Sequence, residues 1–254
     1  MHFDSLEFFV YLAAPCHGLT PAGIRALLKL RQTQLAARAG ATGALVRVEV
    51  RNERLDLRSA GRGTPLISDF HSLICLQLIE SFPARAGDLR ALLAARRKSK
   101  GPLDLDELVD ALWDKDGGAA LDDAARKHRL SRPLLAATLW AAVKPLYEAT
   151  ALAYLRHLDP PLVGAQCPVC SGAPYARQVD DWLCSVCETA WPASRVCPAC
   201  AGDHWHEAEG IQPQGARRLY CGGCGKAMAE YEGGDAFNDV FDLGPPVELM
   251  KQLS

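Results

Sequence analysis

Eight of the ten cysteines of this 254-residue chain stand as four Cys-x-x-Cys pairs: Cys167/Cys170, Cys184/Cys187, Cys197/Cys200 and Cys221/Cys224. Such a knuckle turns the backbone so that two sulfurs converge on one ion. Two knuckles complete a tetrahedral tetrathiolate site, with metal–sulfur bonds of about 2.3 Å for zinc. The pattern therefore calls for two four-sulfur centres. Thirteen residues separate Cys170 from Cys184, and twenty separate Cys200 from Cys221. Both loops suit a zinc-ribbon or rubredoxin-like unit, in which a hairpin joins the knuckles. Sequential pairing is favoured on that ground; crossed pairing, first knuckle with third and second with fourth, is the alternative. All-thiolate tetrahedral sites take zinc and iron alike, so the expected cofactors are two metal ions, Zn or Fe.

The rest of the composition excludes several roles. The net charge of -2 gives no global basic field to attract nucleic acid or anionic lipid. Residues 160–232 carry five Lys/Arg against eight Asp/Glu, whereas a DNA-binding surface is basic. The longest apolar runs fall well short of the ~20 residues of a membrane span. The start, Met1-His2-Phe3-Asp4-Ser5-Leu6-Glu7, has early acids and no basic leader region. A cytoplasmic protein is expected, and there paired cysteines bind metal more often than they form disulfides.

Residues 1–159 read as a mainly helical domain with a small β-hairpin. Thr20-Pro21 opens a helix running to about Gly40. Ala44 to Leu57 alternates apolar and charged residues, which suggests a strand pair turning near Asn52-Glu53. Ser68 to Phe82 and Asp88 to Arg97 form two helices broken at Pro83. Arg96 to Pro102 reads as a solvated basic break. Asp104 caps a helix carrying Leu105, Leu108 and Leu112 and ending at Gly117-Gly118. Leu121 to His128 and Ser131 to about Leu158 follow, with Pro145 expected to kink or divide the last helix. Asp159-Pro160-Pro161 marks a boundary. Residues 160–234 then form a tandem tetracysteine metal-binding domain of two β modules, and 235–254 a tail whose Phe237, Val240, Phe241 and Leu243 are suited to pack back on the body. Val179 to Leu183 and Arg217 to Tyr220 should be strands entering knuckles, and Trp205 to Ile211 a strand leaving one. Cys75 reads as a buried small hydrophobe, Trp191 as packing beside the first site, and His204 and His206 as exposed strand residues. Cys16 carries no signal.

No P-loop, nucleophile elbow, His-Glu-x-x-His or dinucleotide fingerprint is present. Four sulfurs per ion leave no open position for metal catalysis, so the chain is not expected to be an enzyme.

The residues around the knuckles carry a more specific likeness. Cys167-Pro168-Val169-Cys170-Ser171-Gly172-Ala173-Pro174 begins it. Trp182-Leu183-Cys184-Ser185-Val186-Cys187-Glu188-Thr189-Ala190-Trp191, Arg195-Val196-Cys197-Pro198-Ala199-Cys200 and Cys221-Gly222-Gly223-Cys224 complete it. Together they resemble the FdhE family of formate dehydrogenase accessory proteins, over roughly residues 120–232. The chain departs from that pattern in the strand pair at 44–57, in the short loop between Pro174 and Trp182, and in the tail. The resemblance implies a cytoplasmic assembly factor with two rubredoxin-like sites, at which iron and zinc are both plausible. It would bind the catalytic subunit of a molybdenum- or tungsten-containing formate dehydrogenase during maturation, and the family's essential cysteines map onto all eight knuckle positions. A homodimer is left open. Two other classes compete: a zinc-ribbon nucleic-acid binder, with Asp122 to Thr138 as a helix-turn-helix mimic, and a rubredoxin-like redox protein or thiol-exchange protein.

Overall fold

The fold is taken from a computed structural model, which describes residues 21–42, 49–51, 54–97, 101–113, 118–155, 164–178, 180–194, 196–207 and 216–231. Six helices come first: α1 (Pro21–Thr42), α2 (Leu66–Ser81), α3 (Ala86–Arg96), α4 (Leu105–Ala111), α5 (Ala119–His128) and α6 (Arg132–Leu155). A hairpin of β1 (Glu49–Arg51) and β2 (Arg54–Asp56) stands between α1 and α2. Six strands follow: β3 (Pro174–Gln178), β4 (Asp181–Cys184), β5 (Ala190–Pro192), β6 (Trp205–Glu207), β7 (Ala216–Cys221) and β8 (Ala227–Tyr231). The expected helical body followed by two small tetracysteine β modules is what the chain forms. The expectations for Cys16, the Asn52-Glu53 turn, Lys98 to Lys100, the 159–161 boundary and the tail lie outside the described residues. Helix α4 does not run to Gly117-Gly118 as expected: it ends at Ala111, and Leu112 and Trp113 already turn away.

Helix α6 is the axis of the body. Every residue from Ala141 to Ala151 is buried. Apolar Leu134, Leu135, Leu139, Val143 and Leu146 face helices α1, α2, α4 and α5 around it. Burial on all sides explains why the stretch lacks a polar stripe. Pro145 does not divide it. Proline has no N–H, so the carbonyl of Ala141 loses its helical partner; the Gln34 side-chain amide of α1 donates to that carbonyl instead, at 2.9 Å. The helix stays continuous because a neighbour fills the vacant bond.

Three aromatic rings pack where α6 meets the chain after α4. Trp113, Trp140 and Tyr147 have ring centroids 5.8 to 6.2 Å apart, and Trp113 Nε1 donates to Tyr147 Oη at 3.3 Å. Asp104 caps α4 as its position before a helical run implies, accepting from the N–H of Asp106 at 2.9 Å and that of Glu107 at 3.4 Å. Arg96, expected in a solvated break, is instead half-buried at the end of α3. It donates to Ser72 Oγ at 2.7 Å, to Ser68 Oγ, and to Nδ1 of the buried His71 at 3.4 Å. With Nδ1 accepting, Nε2–H is left to face Thr138 Oγ1, 3.2 Å away. This ties α2, α3 and α6 through a neutral histidine. Cys75, fully buried one turn on, has its thiol pushed up to about 12 by desolvation, so it packs rather than reacts.

The six strands make one sheet, ordered β5-β4-β3-β8-β7-β6. Each module contributes three antiparallel strands. The seam is a parallel pairing of β3 with β8, Ala176 opposite Ala229 and Gln178 opposite Tyr231. Glu230 sits on that seam between Arg177 at 3.4 Å and Arg217 at 2.8 Å.

Two predictions come from the body. Glu148 is fully buried against Arg31 at 2.6 Å and Arg38 at 3.3 Å. Removing one partner of a buried ionic group leaves the others uncompensated, so Glu148→Ala should lower the unfolding free energy by about 3–5 kcal/mol in a urea titration; a loss within the range of a surface pair, below about 1 kcal/mol, would show the group to be solvated. Desolvation first, and the Arg96 charge second, hold His71 down to about 3 from its ordinary 6.5. The unfolded chain therefore binds the extra proton between those pH values, and stability present above 6.5 is lost as pH falls toward 3. His71→Gln should flatten that acid limb by up to about 1.4 kcal/mol per pH unit; parallel pH–stability curves would show that His71 is not held neutral.

Candidate metal centres

Each knuckle is built the same way. The residue after its second cysteine folds back with its N–H on the first cysteine's carbonyl: Ser171 to Cys167 at 2.9 Å, Glu188 to Cys184 at 3.1 Å, Ala201 to Cys197 at 2.8 Å and Gly225 to Cys221 at 2.8 Å. The first cysteine's N–H then reaches forward to the carbonyls of Gly172, Thr189, Gly202 and Lys226. Closing so tight a turn puts all four following residues at positive φ: Ser171 at 63°, Glu188 at 56°, Ala201 at 60° and Gly225 at 70°. Only the last is glycine, so three knuckles hold a side chain in a region that costs ~1–2 kcal/mol. Backbone N–H groups also point at sulfur. Gly172 donates to Cys170, Val186 to Cys184 and Ala199 to Cys197, each at 3.4 Å.

Sequential pairing is the arrangement formed. Cys167, Cys170, Cys184 and Cys187 gather in one group, and Cys197, Cys200, Cys221 and Cys224 in the other, with all sulfurs of a group within 4.8 Å of one another. In the first, Cys167–Cys187 is 3.7 Å and Cys170 lies 3.5 Å from both Cys184 and Cys187. In the second, Cys197–Cys224 is 3.7 Å and Cys200–Cys221 is 3.5 Å. Disulfide sulfurs would be about 2.05 Å apart. A tetrahedron with metal–sulfur bonds of about 2.3 Å has edges of about 3.8 Å, close to the spacing found. Donor chemistry, spacing and N–H···S bonds thus fit a tetrahedral thiophilic ion, and both groups can hold one.

Charge makes the same point. Four sulfurs this close cannot all be thiolates alone. Hydrogen bonds from Cys170, Cys184 and Cys187 hold Cys167 far below the ordinary thiol range. Hydrogen bonding to Cys167 pushes Cys170 and Cys187 well above it. In the second group, the Cys224 backbone N–H brings Cys221 down to about 7. A bound divalent cation supplies the missing positive charge and deprotonates a coordinating thiol.

The two groups are seated differently. The first is welded to the helical body. The Leu55 N–H of β2 donates to the Val169 carbonyl at 2.8 Å, and Arg54 donates to Ser171 Oγ at 2.8 Å. Buried Lys144 of α6 pairs with Glu188, the residue directly after Cys187, and lies 4.0 Å from Glu148. One chain of charges therefore runs from Arg31 in α1 to the second knuckle. Cys167, Val169, Trp182, Cys184, Val186, Cys187 and Trp191 all belong to the hydrophobic core of the helices, and Trp191 Nε1 donates to the Gly164 carbonyl at 3.0 Å. The half-buried Cys170 borders a cavity of about 530 Å³ shared with Arg54, Arg58 and Trp113. In the second group Cys197 and Cys221 are buried, but Cys200 and Cys224 are exposed.

His204 and His206 are exposed beside the second group and do not join its sulfurs. Sequence reasoning missed the partners of the first group: Leu55, Lys144 and Glu148. A signal existed for two of them, since Lys144 and Glu148 stand four residues apart within a stretch where apolar residues predominate. The second helix of the would-be helix-turn-helix, α6, buries Leu134, Leu135, Thr138 and Leu139 and so has no free recognition face over those residues. No helix among the described residues is long and apolar enough to cross a membrane.

No model of a known protein family matches the sequence, and no curated protein matches it. Among solved structures, the crystal structure of the FdhE protein from Pseudomonas aeruginosa is similar at 17% identity, over 74% of this chain and 92% of that one, with a TM-score of 0.35. A score this low does not establish a common fold.

The pairing is checked by metal stoichiometry. The double variant Cys197→Ala/Cys221→Ala should retain one ion per chain in native mass spectrometry, because both residues serve the same group. Crossed pairing would spoil both groups and leave none.

Proposed function

We propose that this chain is an accessory protein that binds the catalytic subunit of a molybdenum- or tungsten-dependent formate dehydrogenase during its assembly, in the cytoplasm, with two metal ions holding its docking surface in shape. The observation that carries the reading is the closure of eight cysteines into two four-sulfur groups on one continuous sheet. Each group supplies a full tetrahedron of ligands, so a bound ion has no position left for substrate. Such ions support shape rather than turnover.

Cys167, Cys170, Cys184 and Cys187 would hold one ion, and Cys197, Cys200, Cys221 and Cys224 the other. When bound, each ion supplies cross-linking energy that the sheet lacks. The second module is the clearer case: Met228 is its one large apolar side chain buried among the described residues. A module of that kind folds on its metal, so binding free energy becomes folding free energy.

The client is inferred from the order of residues around the knuckles, which resembles that of the FdhE family. Acidic excess around the metal groups supports a protein partner over nucleic acid. The test is an affinity pull-down of the tagged chain from its native host grown under formate-oxidising conditions, read by mass spectrometry. The catalytic subunit of a formate dehydrogenase should be enriched with the wild-type chain and lost with Cys167→Ala. Recovery of nucleic acid or an unrelated oxidoreductase, or undiminished capture by the variant, would refute the reading.

A further inference from the structure

The two groups have the same ligands and the same knuckle hydrogen bonds, yet they differ in everything around the sulfur. In the first, Val169 and Val186 occupy the variable knuckle positions and are buried, and three of its four cysteines lie inside the main core. In the second, the positions that match them are Ala199 and Gly223, both exposed, and Gly222 beside Gly223 is exposed too. Cys200 and Cys224 are exposed with them. A methyl group built on Gly223 would stand 3.4 Å from Cys200 Sγ and 3.7 Å from Cys221 Sγ. Without it, that face of the Cys200 sulfur is open to small molecules. The second module is joined to the first through the β3–β8 seam and gives the main core one described residue, Met228, with Trp205 packed against it, where the first module gives seven.

Thiolate oxidation follows thiolate character and access. We propose that the second group is an oxidisable, metal-releasing centre, attacked at Cys200 and Cys224, while the first is a permanent structural one. This rests on the reading that each group binds a metal ion. With hydrogen peroxide as oxidant, one exposed thiolate attacks the O–O bond, becomes a sulfenic acid and expels hydroxide. The other thiolate then attacks that sulfur, forms the Cys200–Cys224 disulfide and expels a second hydroxide. Two electrons pass from two sulfurs to one peroxide, and two protons from the buffer acid convert the hydroxides to water. All sulfurs of the group lie within 4.8 Å, so a modest closure joins the pair. Left with Cys197 and Cys221, the ion loses half its ligands and departs without changing charge. The second module, having little apolar core, would loosen with it.

The experiment uses the full chain reconstituted with zinc and treated with hydrogen peroxide beside a chromophoric chelator. Free thiols are trapped with iodoacetamide and mapped by mass spectrometry. One zinc per chain should leave on the order of tenfold faster than the other, in step with a Cys200–Cys224 disulfide and with the first four cysteines still alkylatable after reduction-free denaturation. Gly223→Ala, which fits the available space and covers Cys200, should slow the fast release and leave the slow one unchanged. Release of both ions at one rate, or oxidation of Cys170 before Cys200 and Cys224, would overturn the proposal while leaving the two-metal reading intact. A chain that takes up fewer than two zinc ions before any oxidant is added would defeat the metal reading itself, and the proposal with it.

Discussion

Sulfur-to-sulfur distances of 3.5 to 3.7 Å are the constraint on which the second half of the chain turns. Sulfurs at that spacing are neither bonded nor comfortable as free thiolates. They need a cation among them, and the knuckles are shaped to receive it. Each knuckle accepts a left-handed residue to close its turn, three times on a side chain that resists it. Strain of that kind persists only where the surroundings over-determine it. Here the surroundings are the turn's own hydrogen bonds and, when bound, the ion.

From the first group, the constraint passes into the helical body by two routes. Apolar contact is one: Trp182, Trp191, Val169 and Val186 continue the helical core. Charge is the other, from Glu188 through Lys144 to Glu148 and the arginines of α1. Buried charges are costly unless each finds its partners, so this chain of pairs fixes where the first module sits. Its second counterpart is carried by strand pairing with β3 and, among the described residues, gives that core Met228 alone, with Trp205 packed against it. One ligand set thus appears twice, once as part of the core and once at the edge of the sheet, and the difference in seating is what separates their chemistry.

Much of the local structure was legible in the residues. Asp104 and Pro83 mark helix ends through capping and a missing N–H group, which act over a few residues. The alternation from Ala44 to Leu57 indicates a hairpin, of which Glu49–Arg51 and Arg54–Asp56 are the described strands. Pro145 does not divide its helix because its cost is local, whereas its remedy, Gln34, lies more than a hundred residues away. Arg96 misled because a basic run looks solvated unless the hydroxyls of Ser68 and Ser72 are known to stand opposite it. Lys144 and Glu148 could be read as unusual within an apolar stretch, but not as partners of a knuckle.

What the sequence by itself determined is the chemistry: four knuckles, two tetrahedral sets of sulfur, helices before them and hairpins between. Those follow from spacing and from interactions within a turn or two of backbone. Only the tertiary structure decided that the modules share one sheet through a parallel β3–β8 pair, that the β1–β2 hairpin docks on the first knuckle, and that one group is buried while the other is open. These are contacts between distant segments, set by which apolar and charged surfaces cover each other. No periodicity within a single segment records them.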